Sequence, residues 1–425
     1  MNPSSQISSP PLLTSLRFAP ERERVDQLMA TFELDPMLSH FEQEGGVKSI
    51  RDRILSRQLK LTPRLAPRLA ALLEEVRGAL GYGEPVDLFV SESAEINAVA
   101  VHSRDQLPHI ISLSSRLIER MDDEEIRFVL GHELGHLCFQ HNRLLLLPLV
   151  FGKDDDGDSQ MPNLLARRLE IWQRLAELSA DRAGFLAANG RLEAAVSVFF
   201  KLASGLGPEH LHFDIAAFLQ QLEELRQLER RDSLSDFSHP AIPIRVRALQ
   251  LYRDAGGLSA TAEQLAQVDA EVAELAKLME RQPADAEELH KLNYVLAGGV
   301  LIGHSDGDGL GERELQWLIE MLLPLTSDPE EAIAGLTSVA QAEALLAASA
   351  AWLQEHGGED KFAGFRGLCV IAVAEGLTAG EEELLHRIAG MTGIPRKVAG
   401  ELLHEVMKAY ASKKAAGQAG ALKLR

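Results

Sequence analysis

Cysteine is nearly absent. Cys138 and Cys369 are the two in 425 residues, too few for a disulfide framework, and they fit a reducing, cytoplasmic setting. No run approaches the roughly 20 apolar residues that a membrane-spanning helix needs, so no transmembrane segment is expected. The nearest, Leu144 to Phe151, is broken by Pro148 and followed by the acidic loop Asp154 to Asp158. It reads as a buried or loop-edge segment; the alternative is a hydrophobic lip making peripheral contact with a membrane or an unfolded chain. The first 20 residues lack a basic stretch followed by an apolar one, so no secretory signal is expected. Basic charge is scarce as well: 43 Lys and Arg against 63 Asp and Glu leave a net charge of -20. Phosphate neutralisation needs clustered cations, so no nucleic-acid partner is expected, and the acidity reads as solvated surface.

What is present is the balance of a folded protein, 46% hydrophobic and 25% charged, with length for two or three domains. Residues 20–82 read as helical, ending in Leu69 to Leu80 and stopped near Gly81 and Gly83. Val86 to Val90, Ile96 to Val101 and Ile110 to Leu113 are strand candidates. From Asp122 the helical pattern returns, with long helices over 162–189, closing at Asn189-Gly190, and over about 259–281. The fold class expected is therefore α+β, mostly α: a small sheet backed by helices, followed by an all-α domain. The main boundary falls near Gln282-Pro283-Ala284.

The chemistry centres on His132-Glu133-Leu134-Gly135-His136, inside the helix opened by Asp122 to Glu125. Side chains four apart stack on one helix face, so two imidazoles converge, a bite suited to zinc. Glu133, one step round, borders the same point and can take a proton from a water there. The pattern alone is only suggestive, because a surface helix with two solvated histidines would look the same. Here the flanks are strongly apolar, and buried ionisable groups need a partner. A third ligand is supplied downstream by Glu177, with Asp181 one turn on as acceptor for a histidine N–H. An exposed acidic pair is the alternative, against which the small residues Ala176 to Gly184 suggest close helix packing.

His132-Glu133-x-x-His136 followed by Glu177-x-x-x-Asp181 resembles the gluzincin arrangement of the HtpX-like and CaaX prenyl endopeptidase-like zinc metallopeptidases (metallopeptidase family forty-eight). Asn97-Ala98-Val99-Ala100 is similar to that family's strand ahead of the metal helix. Ser238-His239-Pro240 with Arg245 is similar to its late His-Pro…Arg element. The resemblance covers about residues 65–250. It implies a zincin-like domain with one Zn2+ held by His132, His136 and Glu177, and Glu133 as general base. It also implies a substrate strand at Asn97 and Ala98, and oxyanion stabilisation by His239 or Arg245. For His239 the plain alternative is a helix-entry residue, and for Arg245 a structural ion pair. The implied function is hydrolysis of internal peptide bonds in a polypeptide substrate, soluble or misfolded, since many relatives carry transmembrane helices expected to be absent here. The rivals are a chaperone-like protein or a metal-sensing stress-response protein on a peptidase scaffold.

Beyond the boundary, Asp306-Gly307 with Glu312 to Leu315 returns sixty-nine residues later as Glu375-Gly376 with Glu381 to Leu384. This weak repeat resembles the tellurite-resistance TerB-like helical fold, whose acidic loops are associated with metal. It makes Asp306, Glu312, Glu375 and Glu381 candidates for a second metal, against the plainer reading that they start helices. An EF-hand reading of Asp306 to Trp317 fails on Leu310 and Trp317. The expected division is a helical extension 1–60, a metallopeptidase domain 61–257, a helical linker 258–284, a TerB-like domain 285–411 open to a protein partner or self-association, and a disordered tail 412–425. Cys138 reads as core. His102, His109, His141, His210 and His212 show no partner at ligand spacing.

Overall fold

The computed structural model describes residues 15–103, 107–154, 157–227, 239–305, 307 and 309–415. These fall into two compact units, one reaching residue 279 and one beginning at 280. The first is α+β and mostly helical, as expected, and carries a four-stranded sheet.

Helices Ala19–Thr31, Leu34–Gln43 and Gly46–Arg57 lead to a two-residue strand, β1, Leu59–Lys60. That strand corrects the expectation of helix throughout 20–82. Two exposed residues offer no alternation to read, and their conformation comes from antiparallel pairing with Val90 and Phe89. Helix Pro67–Leu80 opens on a proline, which has no N–H to leave unsatisfied, and ends at Gly81 with φ 66°.

Strands β2 (Val86–Ser91), β3 (Ala98–Val101) and β4 (His109–Ser114) complete the sheet in the order β1-β2-β4-β3. β2 and β4 are parallel, while β3 runs antiparallel to β4. β4 is buried along its whole length, and β3 forms the edge. Asn97 pairs with Ser114, whose N–H donates to Asn97 O at 2.9 Å. Alternation along an antiparallel pair then turns the backbone groups of Ala98 and Ala100 outward. Asn142 Nδ2 takes the Ala100 carbonyl at 2.7 Å, and Asn97 Oδ1 takes the Ala98 N–H at 2.9 Å.

Two helices form the heart of this unit. Asp123–Cys138 is opened by Asp122 and Glu125, each side chain accepting from the other's N–H at 3.0 and 2.8 Å. Asn163–Ala187 ends in Asn189 and Gly190, both left-handed. Their faces meet through a seam of small residues. A Cβ on Gly131 would lie 2.3 Å from the Ala187 Cβ, one on Gly135 3.1 Å from the Ala180 Cα, and one on Gly184 2.7 Å from the Phe128 carbonyl. Those obstacles are backbone or Cβ atoms, which cannot swing aside, so the glycines set the helix separation. Two short helices, His141–Leu144 and Leu147–Phe151, cover the apolar run, with Leu144 and Leu147 buried and Leu145 and Leu149 exposed.

The second unit is all helical: Ala286–Gly303, Glu312–Leu322, Pro329–Gly335, Val339–His356, Asp360–Val373, Ala379–Met391 and Arg396–Ala415. The runs Tyr294–Gly303 and Gly367–Val373 are buried continuously and form its core. The last helix runs to Ala415, so the first residues of the tail expected to be disordered from 412 are helical instead, in keeping with Ala and Lys as good helix formers. Asp306, Asp308, Ser238 and residues 416–425 lie outside the described residues. Among the described residues no single helix is long and apolar enough to cross a membrane. Pro329–Gly335 and Val339–His356 meet that test only together, across a bend of 113°.

Candidate metal centre

The seam between the 123–138 and 163–187 helices brings the sequence candidates together. His132 Nε2 and His136 Nε2 stand 3.0 Å apart, and Glu177 reaches both, with Oε2 3.5 Å from His132 Nε2 and Oε1 3.3 Å from His136 Nε2. All three donor groups lie within 4.8 Å of one another, the one such group among the described residues. Glu177 Oε2 is buried without a hydrogen-bond partner. Two imidazole nitrogens and a carboxylate oxygen fit a metal ion, and Glu177 Oε2, although 3.2 Å from Arg245 Nη2, is not satisfied by a hydrogen bond. Glu133 adjoins His132 in the chain and is 7% exposed. Burial raises its carboxyl above the ordinary value, against the opposing pull of His132 and His136, which suits a proton acceptor.

Around the group lies a second layer of charge. His132 Nδ1 is 3.0 Å from Asp181 Oδ1, which leaves Nε2 for the metal. Burial alone would depress His132, yet hydrogen bonds to Asp181 and Glu177 raise it to about 10. Arg245 is buried and binds Asp181 in a fork, Nε to Oδ2 at 2.8 Å and Nη2 to Oδ1 at 2.6 Å. Its Nη2 is also 3.2 Å from Glu177 Oε2. Burial works against both carboxylates, but this guanidinium keeps Glu177 and Asp181 below their ordinary values, and so ionised. Arg245 therefore occupies the ion-pair position of its two expected roles. His239 is different: its side chain is 65% exposed, with Nε2 3.8 Å from Glu177 Oε1.

The structure adds residues that spacing did not reveal. His141, for which no partner at ligand spacing was found, places Nδ1 2.9 Å from His136 Nδ1 and Nε2 3.4 Å from Glu21 Oε1. Burial, outweighing Glu21, lowers its value to about 4, so the ring is neutral. His136 and His141 lie five apart, where the helix has already ended at Cys138, so helical spacing could not link them. Glu21 lies 151 residues from Trp172, whose Nε1 donates to it, and nothing local marked it.

Among the described residues of the helical unit, the candidates Glu312, Glu375 and Glu381 do not form a metal group. Glu375 Oε1 accepts the Arg313 N–H at 3.0 Å, Glu381 Oε2 accepts the Thr378 N–H at 2.6 Å, and Glu312 is exposed. These are helix-start roles. Glu314, which was not singled out, closes the equivalent turn by accepting the Gly311 N–H at 2.9 Å.

A helix carrying His-Glu-x-x-His and a facing helix that supplies a carboxylate are the parts of a metallopeptidase centre. Comparison with known proteins points to the same class. Residues 63–253 match the model of Peptidase family M48. The chain is 32% identical over 193 residues to the plastoglobule-localized metallopeptidase 48, chloroplastic, of Arabidopsis thaliana, covering 43% of this chain and 55% of that protein. It is 25% identical over 164 residues to a protease HtpX homolog of Methanothermobacter thermautotrophicus, covering 34% of this chain and 62% of that protein. The chain thus spans less than two thirds of the length of either relative. No solved structure matches. The family match supports a peptide-bond hydrolase.

Proposed function

We propose that this chain is a zinc-dependent endopeptidase that cuts internal peptide bonds of soluble or misfolded polypeptides. The observation that carries the reading is the convergence of His132, His136 and Glu177 within 4.8 Å on a wall that also holds Glu133. One zinc per peptidase unit is the ion best suited to two imidazoles and one carboxylate with a position left open. When bound it supplies Lewis acidity to the carbonyl and the water of the reaction. Glu133 takes the proton of the attacking water and returns it to the leaving amine. Asp181 holds the His132 ring, and Arg245 holds Asp181 and Glu177. With Arg245 engaged there, His239 at the exposed side of Glu177 is the residue assigned to the developing oxyanion. The outward carbonyl of Ala98 on edge strand β3 offers pairing to an extended substrate, while Asn97 Oδ1 holds the Ala98 N–H and would have to yield it for a second bond. A cytoplasmic location is proposed on the scarcity of cysteine, two in 425 residues. The helical unit, read as TerB-like, is assigned to partner binding or self-association.

Hydrolysis of casein by zinc-loaded wild type beside Glu133→Gln tests the proposal. The wild type is expected to cut, a chelator to stop it, and Glu133→Gln to hold zinc without cutting. Equal cutting by both proteins would sink it.

A further inference from the structure

The segment preceding the family-matched residues sends a carboxylate into the interior beside His141. Glu21 is 0% exposed. It accepts from Arg17 at both oxygens (2.6 and 2.9 Å), from Trp172 Nε1 at 2.9 Å and from Ser179 Oγ at 3.2 Å. His141 Nε2 stands 3.4 Å from Glu21 Oε1, an electrostatic contact without hydrogen-bond geometry, while His141 Nδ1 is 2.9 Å from His136 Nδ1. These atoms form a string from the N-terminal segment to a candidate zinc ligand.

Counting protons gives the string a direction. A metal takes the lone pair of His136 Nε2, so the proton of that neutral ring lies on Nδ1. Between two Nδ1 atoms 2.9 Å apart one proton fits, so His136 donates and His141 accepts. His141 then carries its own proton on Nε2, the atom that faces Glu21. A carboxylate can only accept, and the fork from Arg17 keeps Glu21 in that state. Either imidazole by itself could adopt the other tautomer; the ionised carboxylate 3.4 Å from His141 Nε2 favours the one that places the proton on that atom.

We infer that Glu21 is a positioning residue for the zinc ligand His136, acting through His141 to fix the tautomers of both rings. The inference rests on the zinc reading above. It makes the two histidine ligands comparable: Asp181 backs His132 directly, and Glu21 backs His136 at one remove. Glu21 lies outside residues 63–253, so a site assembled from the matched segment alone lacks this support.

The test is the zinc dissociation constant, measured by competition with a chromophoric chelator, with thermal midpoints alongside. Three proteins are compared: wild type, Glu21→Gln and Asp269→Asn. Asp269 is the structural control, because it accepts the Ala19 N–H at 3.0 Å and pairs with Arg182, holding the same segment without touching the string. Glu21→Gln is expected to weaken zinc binding about 10–100-fold, and Asp269→Asn less than about threefold at a similar loss of thermal stability. His141→Phe probes the string from its other end, whether or not Glu21→Gln folds. It should weaken zinc binding by the same factor, because His136 loses its acceptor. Wild-type affinity in Glu21→Gln or His141→Phe would overturn the inference, as would zinc loss that follows thermal stability across all variants. A wild type that takes up no zinc would instead overturn the proposed function.

Discussion

Both units pack helices through glycine, but the glycines meet different obstacles. In the peptidase-like unit a Cβ on Gly135 or Gly184 would strike the Ala180 Cα or the Phe128 carbonyl. In the helical unit a Cβ on Gly298 would strike the Leu368 Cδ1 at 2.7 Å, and one on Gly299 the Leu318 Cδ1 at 2.6 Å. Leucine termini can change rotamer, whereas backbone cannot. The first seam is therefore a fixed spacer and the second an adjustable one. Buried charge divides along the same line. The first unit gathers His132, His136, Glu177, Asp181 and Arg245 about one point. The second directs its buried acids, Glu314 and Glu381, to the N–H groups that open helices. Rigid spacing and converging charge occur together where chemistry is proposed.

The largest expected effect is catalytic. Glu133→Gln should lower casein hydrolysis by about 10²–10⁴-fold, while Glu381→Gln, equally buried in the other unit, should change it less than about twofold. Comparable losses would mean the helical unit also does chemistry. Next comes packing. Gly184→Val should destabilise the first unit by about 3 kcal/mol or more in denaturant titrations and release zinc. Gly298→Ala should cost about 1 kcal/mol or less. Equal costs would dissolve the distinction between the seams.

Acid should then separate the units. His109 accepts the Ser103 N–H at Nδ1, and burial, aided by His102 and Arg51, lowers its value to about 4. Between about pH 6.5 and pH 4 the unfolded chain binds a proton that folded His109 refuses. Its contribution is thus complete above pH 6.5 and lost as pH falls toward 4, on the order of 2–3 kcal/mol in all. His109→Asn should flatten that part of a stability–pH curve. Glu314 acts with the opposite sign. Burial first, and then the neighbouring Glu381 carboxyl, raise it, so the folded state keeps a proton that the unfolded chain gives up. Mild acid should therefore relieve the helical unit. In the smallest effect expected, Glu314→Gln should stabilise that unit slightly at pH 7 and have no effect near pH 4.

Much of the site was legible because its parts follow helical spacing. His132 with His136 and Glu177 with Asp181 are each four apart on one face, and Ala176 to Gly184 announced the close seam. The acidic opening of the metal helix and the glycine stop at Gly81 were equally local signals. What escaped depends on tertiary contact. β1 exists through its partner strand. Glu21 is joined to the site by folding across more than a hundred residues, His141 reaches His136 just beyond the helix end, and Arg245 reveals its fork to Asp181 only in three dimensions. For the acidic repeat, local spacing left a ligand set and helix-starting acids both open; Glu375 and Glu381 accept from backbone N–H groups at helix openings.

Metal content is the most direct test of the central claim. Wild type, His132→Ala, Glu177→Gln, Glu133→Gln and a Glu375→Gln/Glu381→Gln double variant would be stripped, reloaded with zinc, desalted and assayed by elemental analysis. The account predicts one zinc per chain in the wild type, Glu133→Gln and the double variant, and essentially none in His132→Ala or Glu177→Gln. Zinc that stays without His132 or Glu177, or that leaves with the two helical-unit glutamates, would contradict it.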